Sequence, residues 1–162
     1  MAQWSEFVAA VPEFATAVTQ SFESGKHKTL ATLRADGSPR VSGIEAYLIG
    51  DHLWFGSMPG ALKGRDLLRD PRFALHGPPA LLAAETSGAA GDVKLAGRAI
   101  RVTDRERIGA MLVARGFAAD AFPESLFFTA DLDEVVLTRI SDSGMVIDLW
   151  QPGQPVRHLP RS

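Results

Sequence analysis

The sequence predicts a mainly β chain, with six or seven antiparallel strands curled into a barrel and short helices at its flanks. Three observations carry that prediction. From residue 28 to residue 150, apolar runs of strand length are punctuated by Gly, Pro, Asp and Ser. The first three runs are joined by connections too short for a crossover helix, so they pair as an antiparallel meander. Only the segments near residues 4–24, 61–69 and 104–115 read as helix. The 162 residues suit one domain, 1–162, with 1–24 as an N-terminal helical segment and 152–162 as an extended C-terminal tail.

Trp4, Phe7, Val8, Val11, Phe14, Ala15 and Val18 recur at spacings of three and four and paint one helical face. Pro12 removes an amide donor, which predicts a break at Val11 and two short helices, with a stop at Ser24-Gly25. Lys28–Leu33 is the first strand, Asp36-Gly37 turns a hairpin, and Val41–Ile49 returns. Gly50-Asp51 turns again into His52–Ser57. Met58-Pro59-Gly60 ends the meander, and the helix at Ala61–Arg69 is stopped by Asp70-Pro71. Arg72–His76 is a fourth strand, and Gly77–Gly91, rich in Gly, Pro and Ala, reads as a loop or distorted strand pair. Asp92–Val102 is a strand, and Asp104 caps a helix whose inner face is Ile108, Met111 and Leu112. Leu126–Thr129, Glu134–Ile140 and Met145–Trp150 are late strands, with Ser143-Gly144 turning the last hairpin. Three prolines make the C-terminus an extended surface tail.

Composition excludes several classes. Lys and Arg total 17 against 19 Asp and Glu, a net charge of −2, so a nucleic-acid coat or a polybasic membrane anchor is not expected. No Cys is present, which removes disulfides, thiolate metal sites and a Cys nucleophile. No apolar run approaches the ~20 residues that span a bilayer. The start MAQWSEFVAA lacks the positive cluster of a secretory signal, so a cytoplasmic protein is expected.

The segment Leu53–Arg72 carries the most chemistry. A strand ends on Gly56-Ser57, a Gly/Pro turn follows, and Lys63 falls in the first turn of a helix, with Arg65 close behind. A cation there opposes the helix dipole, whereas an anion at the free N–H groups would be stabilised by both. Phosphate is the usual such anion, and the alternative is that both side chains are simply solvated. No Gly-Lys-Ser/Thr follows the turn, so this is not a Walker loop. His27, His52, His76 and His158 lack ligand spacing and read as surface or edge-of-core residues. Asp131 and Asp133 read as a solvated turn between strands. Trp54 and Trp150 read as barrel packing, and no Ser, His and acid set forms a triad.

Taken in chain order, the Asp-Gly hairpin, the return strand, the third strand ending in a hydroxyl and the basic helix closed by Asp-Pro-Arg resemble the pyridoxamine 5'-phosphate oxidase-like family of flavin-binding split β-barrels. The resemblance runs from Thr29 to Leu75 and, more weakly, from Asp92 to Val102. It implies FMN, or in related barrels a deazaflavin, bound by Ser42, Gly43, Ile44 and Glu45 on the return strand, Gly56 and Ser57 on the third, and Lys63 and Arg65 on the helix. Where the family has Ser-Arg-Lys this chain has Ala61, Leu62 and Lys63; Ser42 stands at a common Arg position, Tyr47 at a Lys, and Asp92 near a Gln. These departures imply a weakened phosphate grip and a substrate other than a B6 vitamer. Glu45 either lies beside the cofactor or pairs across strands with Arg40 or Lys28.

The resemblance further implies a homodimer with the flavin at its interface, and oxidoreductase chemistry on an unidentified small molecule with no general acid or base assigned. The apolar residues Leu30, Leu33, Ile44, Leu48 and Leu53 are consistent with surface for a second chain. The rival classes are a non-catalytic flavin, deazaflavin or haem binder and a dimeric interaction module without ligand.

Overall fold

The computed structural model describes residues 1–78, 91–141 and 144–161. Two short helices open the chain, α1 (Trp4–Ala10) and α2 (Pro12–Phe22). Then come β1 (His27–Leu33), β2 (Pro39–Ile49), β3 (His52–Ser57), α3 (Leu62–Arg69) and β4 (Arg72–His76). After these follow β5 (Asp92–Val102), α4 (Arg105–Ala114), β6 (Leu126–Ser141), β7 (Gly144–Trp150) and β8 (Arg157–Arg161). The sheet order is β3-β2-β1-β4-β5-β6-β7-β8, and β3 also pairs with β6. That extra pairing closes the first six strands into an antiparallel barrel and leaves β7 and β8 as an extension of one wall.

Local chemistry explains most element ends. Pro12 sits in the first turn of α2, where its missing N–H costs nothing, and Val11 leaves helical geometry at φ −143°. The β1–β2 turn places Gly37 at φ +82° and closes with the Arg34 N–H on Ser38 O at 2.8 Å, while Asp36 Oδ1 accepts from the Ser38 amide at 2.9 Å. Asp104 caps α4 by accepting from the amides of Glu106 and Arg107, at 2.9 and 3.3 Å.

The core divides in two. Inside the barrel, Leu30, Leu53, Phe55, Leu75, Leu95, Phe128 and Leu137 are almost wholly buried. Helix α1 joins that core by packing Phe7 against Trp150, with ring centroids 4.9 Å apart, and α2 joins it through Phe22, whose ring centroid lies 6.3 Å from that of Trp4. Outside the barrel, α4 lays Ile108, Met111 and Leu112 on Trp54, Val102 and Phe127. Both Trp54 and Trp150 are packing residues.

Three expectations are corrected. Asp131 and Asp133 do not form a turn: β6 runs unbroken through them, with Asp131 opposite Arg98. The register shifts between Ala96 and Gly97, so Ala96 faces Glu134 while Gly97 faces Leu132, and Asp133 is the extra residue of a bulge. The strand bends where the sequence looked interrupted. Residues 157–161 are not a free tail but an edge strand on β7, where a proline is tolerated. Leu30, Leu53 and Ile44 are buried within a single chain and are themselves not surface for a partner, while Leu33 and Leu48 are half-buried. The expected loop residues 79–90 and the turn residue Ser143 lie outside the described residues.

Gly97 makes the bend possible. A Cβ there would stand 2.1 Å from the carbonyl oxygen of Asp131. Gly97→Ala should therefore lower unfolding stability by about 1–3 kcal/mol, read as a drop in the urea midpoint; an unchanged midpoint would show that β6 relaxes around the methyl.

Candidate functional site

Strand β3 ends at Ser57, and Gly60 at φ +75° turns the chain into α3, with the Ala61 N–H on Met58 O at 3.2 Å. Gly64 lets the helix lie directly on the strand end. A Cβ at Gly64 would come within 2.7 Å of Ser57 Oγ, so a side chain there would lift α3 away. Lys63 is thereby turned toward β2, and its Nζ donates to Gly43 O at 2.7 Å. Ala61, at the N-cap, provides no side-chain acceptor for the amides of the first turn.

A buried ionic junction fixes this helix on the barrel. Asp66, 3% exposed, accepts from Arg40 Nε at 2.6 Å, from Arg69 Nη2 at 3.0 Å and from Thr32 Oγ1 at 2.9 Å. Burial alone would raise its carboxyl, but the hydrogen bonds from Arg40, Arg69 and Thr32 outweigh that and hold it below the ordinary aspartate range.

Beside α3 opens a cleft of ≈ 460 Å³. Gly43, Ile44 and Glu45 of β2, Gly56 and Ser57 of β3, and Lys63 of α3 all line it. Ser42 and Arg65 are not among its lining residues. Ser42 is half-buried opposite Leu30, and Arg65, about 200° around the helix from Lys63, is exposed. Asp92 opens β5 opposite Thr138 and is also absent from the lining.

The far wall of the cleft is built by residues that carry no functional pattern in the sequence. Arg115, Phe117, Phe122, Ser125 and Phe127, from the end of α4 to the start of β6, face β2 across the opening, and Tyr47 and His27 complete the rim. Arg115 stacks its guanidinium 3.5 Å over the Tyr47 ring, donates to the Tyr47 hydroxyl and lies 3.4 Å from Glu45. The Tyr47 hydroxyl donates to Glu45, and Lys26 stands 3.6 Å from the same carboxylate. The cross-strand partners expected for Glu45 are engaged elsewhere: Arg40 on Asp66, and Lys28 on Gly25 O at 2.7 Å. The Tyr47 bond, then Lys26 and Arg115, pull the Glu45 carboxyl below its usual range. Burial and the Glu45 bond push the Tyr47 hydroxyl up to about 12. No sequence signal joined these residues, because Glu45 and Arg115 meet only once the barrel is closed.

His27 lies on the cleft rim; His52 approaches Arg107, His76 its neighbour Gly77 O, and His158 Asp148. Among the described residues no three His, Cys, Asp or Glu gather as a metal site, and no helix is long and apolar enough to cross a membrane.

A closed six-stranded barrel carrying a basic helix start beside an open cleft defines the flavin-binding split barrels as the class to compare. The sequence pattern of pyridoxamine 5'-phosphate oxidase matches residues 15–138. This chain belongs to that family. PhzG from Burkholderia lata 383, solved in complex with tetrahydrophenazine-1-carboxylic acid, is similar at 17% identity and TM-score 0.67, over 98% of this chain and 93% of that one. A pyridoxamine 5'-phosphate oxidase-related, FMN-binding protein from Nostoc punctiforme PCC 73102 is similar at 12% identity and TM-score 0.65, over 93% and 95% of the two chains. An F420 reductase is similar at 18% identity and TM-score 0.54, over 72% and 93%. The chain spans 55% of the length of another similar structure, protein Atu2129 from Agrobacterium tumefaciens, at 18% identity and TM-score 0.53 over 74% of this chain. A search of curated proteins gave no match.

Proposed function

We propose that this chain is a flavin-dependent oxidoreductase that uses FMN and acts as a homodimer on a small organic molecule. The observation that carries the reading is Lys63: a cation held at the uncapped start of α3 and aimed into a cleft floored by β2 and β3. The residues fit a phosphate-bearing ring cofactor, with an anion pole at Lys63 and an apolar stretch along Ile44 and Phe127. Bound there, a flavin would supply hydride transfer. The chain's own part is to hold the phosphate at Lys63, seat the ring against Gly43, Ile44 and Gly56, and limit water on that side. Gly43, where an added Cβ would meet nothing within 4 Å, leaves the β2 backbone open to close approach. Val41, Met58 and Leu62, in or next to the Lys63 end of the site, are 71%, 75% and 53% exposed and provide apolar surface for a second copy.

A deazaflavin is the second reading. It is favoured by Ala61 and Leu62, whose side chains offer no hydrogen bond to a phosphate, and by the likeness to an F420 reductase. Titrating FMN and F420 separately against the purified protein decides between them. Quenching of flavin fluorescence with micromolar affinity supports FMN; preference for F420 moves the cofactor; binding of neither overturns the oxidoreductase reading. A light-scattering mass of one chain at micromolar concentration would overturn the dimer.

The weakened grip has its own test. Ala61→Ser supplies the missing N-cap and should add about 1 kcal/mol of stability. Combined with Leu62→Arg, it should tighten FMN several-fold, because a guanidinium matches phosphate better than a point charge. A folded double variant with unchanged FMN affinity would put the phosphate elsewhere.

A further inference from the structure

We propose that Phe117 and Phe122 form an aromatic clamp at the mouth of the cleft that takes a flat, uncharged ring, the substrate of the oxidoreductase proposed above; the inference rests on that reading and names its substrate class. Helix α4 ends at Ala114 with Arg115 as its C-cap, Gly116 follows at φ +84°, and the Phe117 N–H turns back onto Leu112 O at 2.9 Å. That reversal brings Phe117 to the cleft. Phe122 is the only non-glycine residue with positive φ among the described residues, at +59°, and it precedes Pro123. A bulky side chain in this region is disfavoured and persists only where its surroundings enforce it.

Here they do. Arg105 donates to Pro123 O at 3.0 Å, and the Ser125 N–H bonds Phe122 O at 3.1 Å. Gly109 leaves room for Ala119, whose Cβ would lie 3.2 Å from a Cβ added at that glycine. The loop is thus pinned to α4 at both ends, and what its strained conformation delivers is a pair of phenyl rings. They meet edge to face with centroids 5.3 Å apart, and both line the cleft while 41% and 48% exposed. Two half-wet aromatic rings held this way offer apolar surface that a third flat ring would cover.

Charge decides which ring. Arg115 lies 5.1 Å from the Phe117 ring, but Glu45 and the Tyr47 hydroxyl already hold it. An anionic ligand would have to displace Glu45 or lie beside its carboxylate. Lys63 serves the opposite pole and its cofactor phosphate. Within the lining, Glu45 thus matches Arg115 and a cofactor phosphate would match Lys63, which suits an uncharged ring between them.

The test is equilibrium dialysis of naphthamide and naphthoate, one neutral and one anionic on the same ring, against protein saturated with FMN. The expected result is that naphthamide binds about tenfold tighter, and that Phe122→Gly loses about tenfold of that affinity. FMN affinity should stay within about twofold and the melting temperature should not fall, since glycine relieves the strained φ. Phe117→Leu, at an unstrained position, should weaken naphthamide in the same direction if Phe122→Gly fails to fold. Equal or tighter naphthoate binding overturns the neutral-ring assignment. Undiminished naphthamide binding in both variants overturns the clamp, and parallel loss of FMN means that the pair holds the cofactor. If the parent protein binds no FMN, the flavin reading fails separately, and the same naphthamide comparison without FMN still decides the clamp.

Discussion

Lys63→Ala is expected to weaken FMN binding by roughly ten- to a hundredfold while leaving the empty protein almost as stable as before. One charge-assisted hydrogen bond to phosphate contributes on the order of 1.5–3 kcal/mol, which converts to that range of affinity. In the free protein the ammonium bonds Gly43 O on the exposed side of the cleft. Losing that bond costs less than about 1 kcal/mol, and removing a cation from the first turn of α3 returns a few tenths. Affinity and stability should therefore separate. Fluorescence titration and urea unfolding on the same preparation read both. Unchanged affinity would remove Lys63 from the site, whereas a large common loss would make it a structural tie between α3 and β2.

Most element boundaries were legible because punctuation and period coincide. Pro12, Asp36-Gly37, Gly50-Asp51, Asp70-Pro71 and Asp104 each mark an end that the structure keeps, and β3, β4 and β5 span the residues the sequence assigns to them. Where the two signals conflict, local reading fails. Asp131 and Asp133 look like a turn, yet Gly97 on the neighbouring strand gives the backbone room to bulge, so the chain bends without stopping. The edge strand β8 has only five residues with Pro160 among them, too little to announce itself, and forms because β7 presents an unpaired edge. The site divides the same way. Its Lys63 wall comes from one stretch of sequence, residues 43–63, and carries a family-like pattern. Its Arg115 wall depends on how β3 meets β6 and how α4 lies over that seam, contacts that no local pattern encodes. Asp66 is a third kind of miss: within Arg65-Asp66-Leu67 it looks like an ordinary exposed helix charge, and only the closed barrel buries it between Thr32 and Arg40.

Asp66→Ala should be the most destabilising single change at the site, by about 3–5 kcal/mol. The side chain is buried with three donors on its two oxygens, and its removal strands Arg40, whose side chain is only 16% exposed, without a counter-charge. The same junction ties α3 to β1 and β2, so a variant that still folds should also hold Lys63 less firmly and bind FMN more weakly. The direction of the pH effect follows from the lowered carboxyl. Its folded-state pKa lies below the ordinary aspartate value near 3.8. Its contribution is therefore complete above that value and is lost as pH falls from there through the folded pKa. Near neutral pH the parent should show no slope from this group, and below about pH 4 its urea midpoint should fall. Asp66→Asn, which keeps the shape but not the charge, should be less stable than the parent at pH 7 and lack this portion of the acid slope. An Asp66→Ala protein with the parental urea midpoint at neutral pH would show that the junction does not hold α3, and with it would go the physical reason for Lys63 standing where it does.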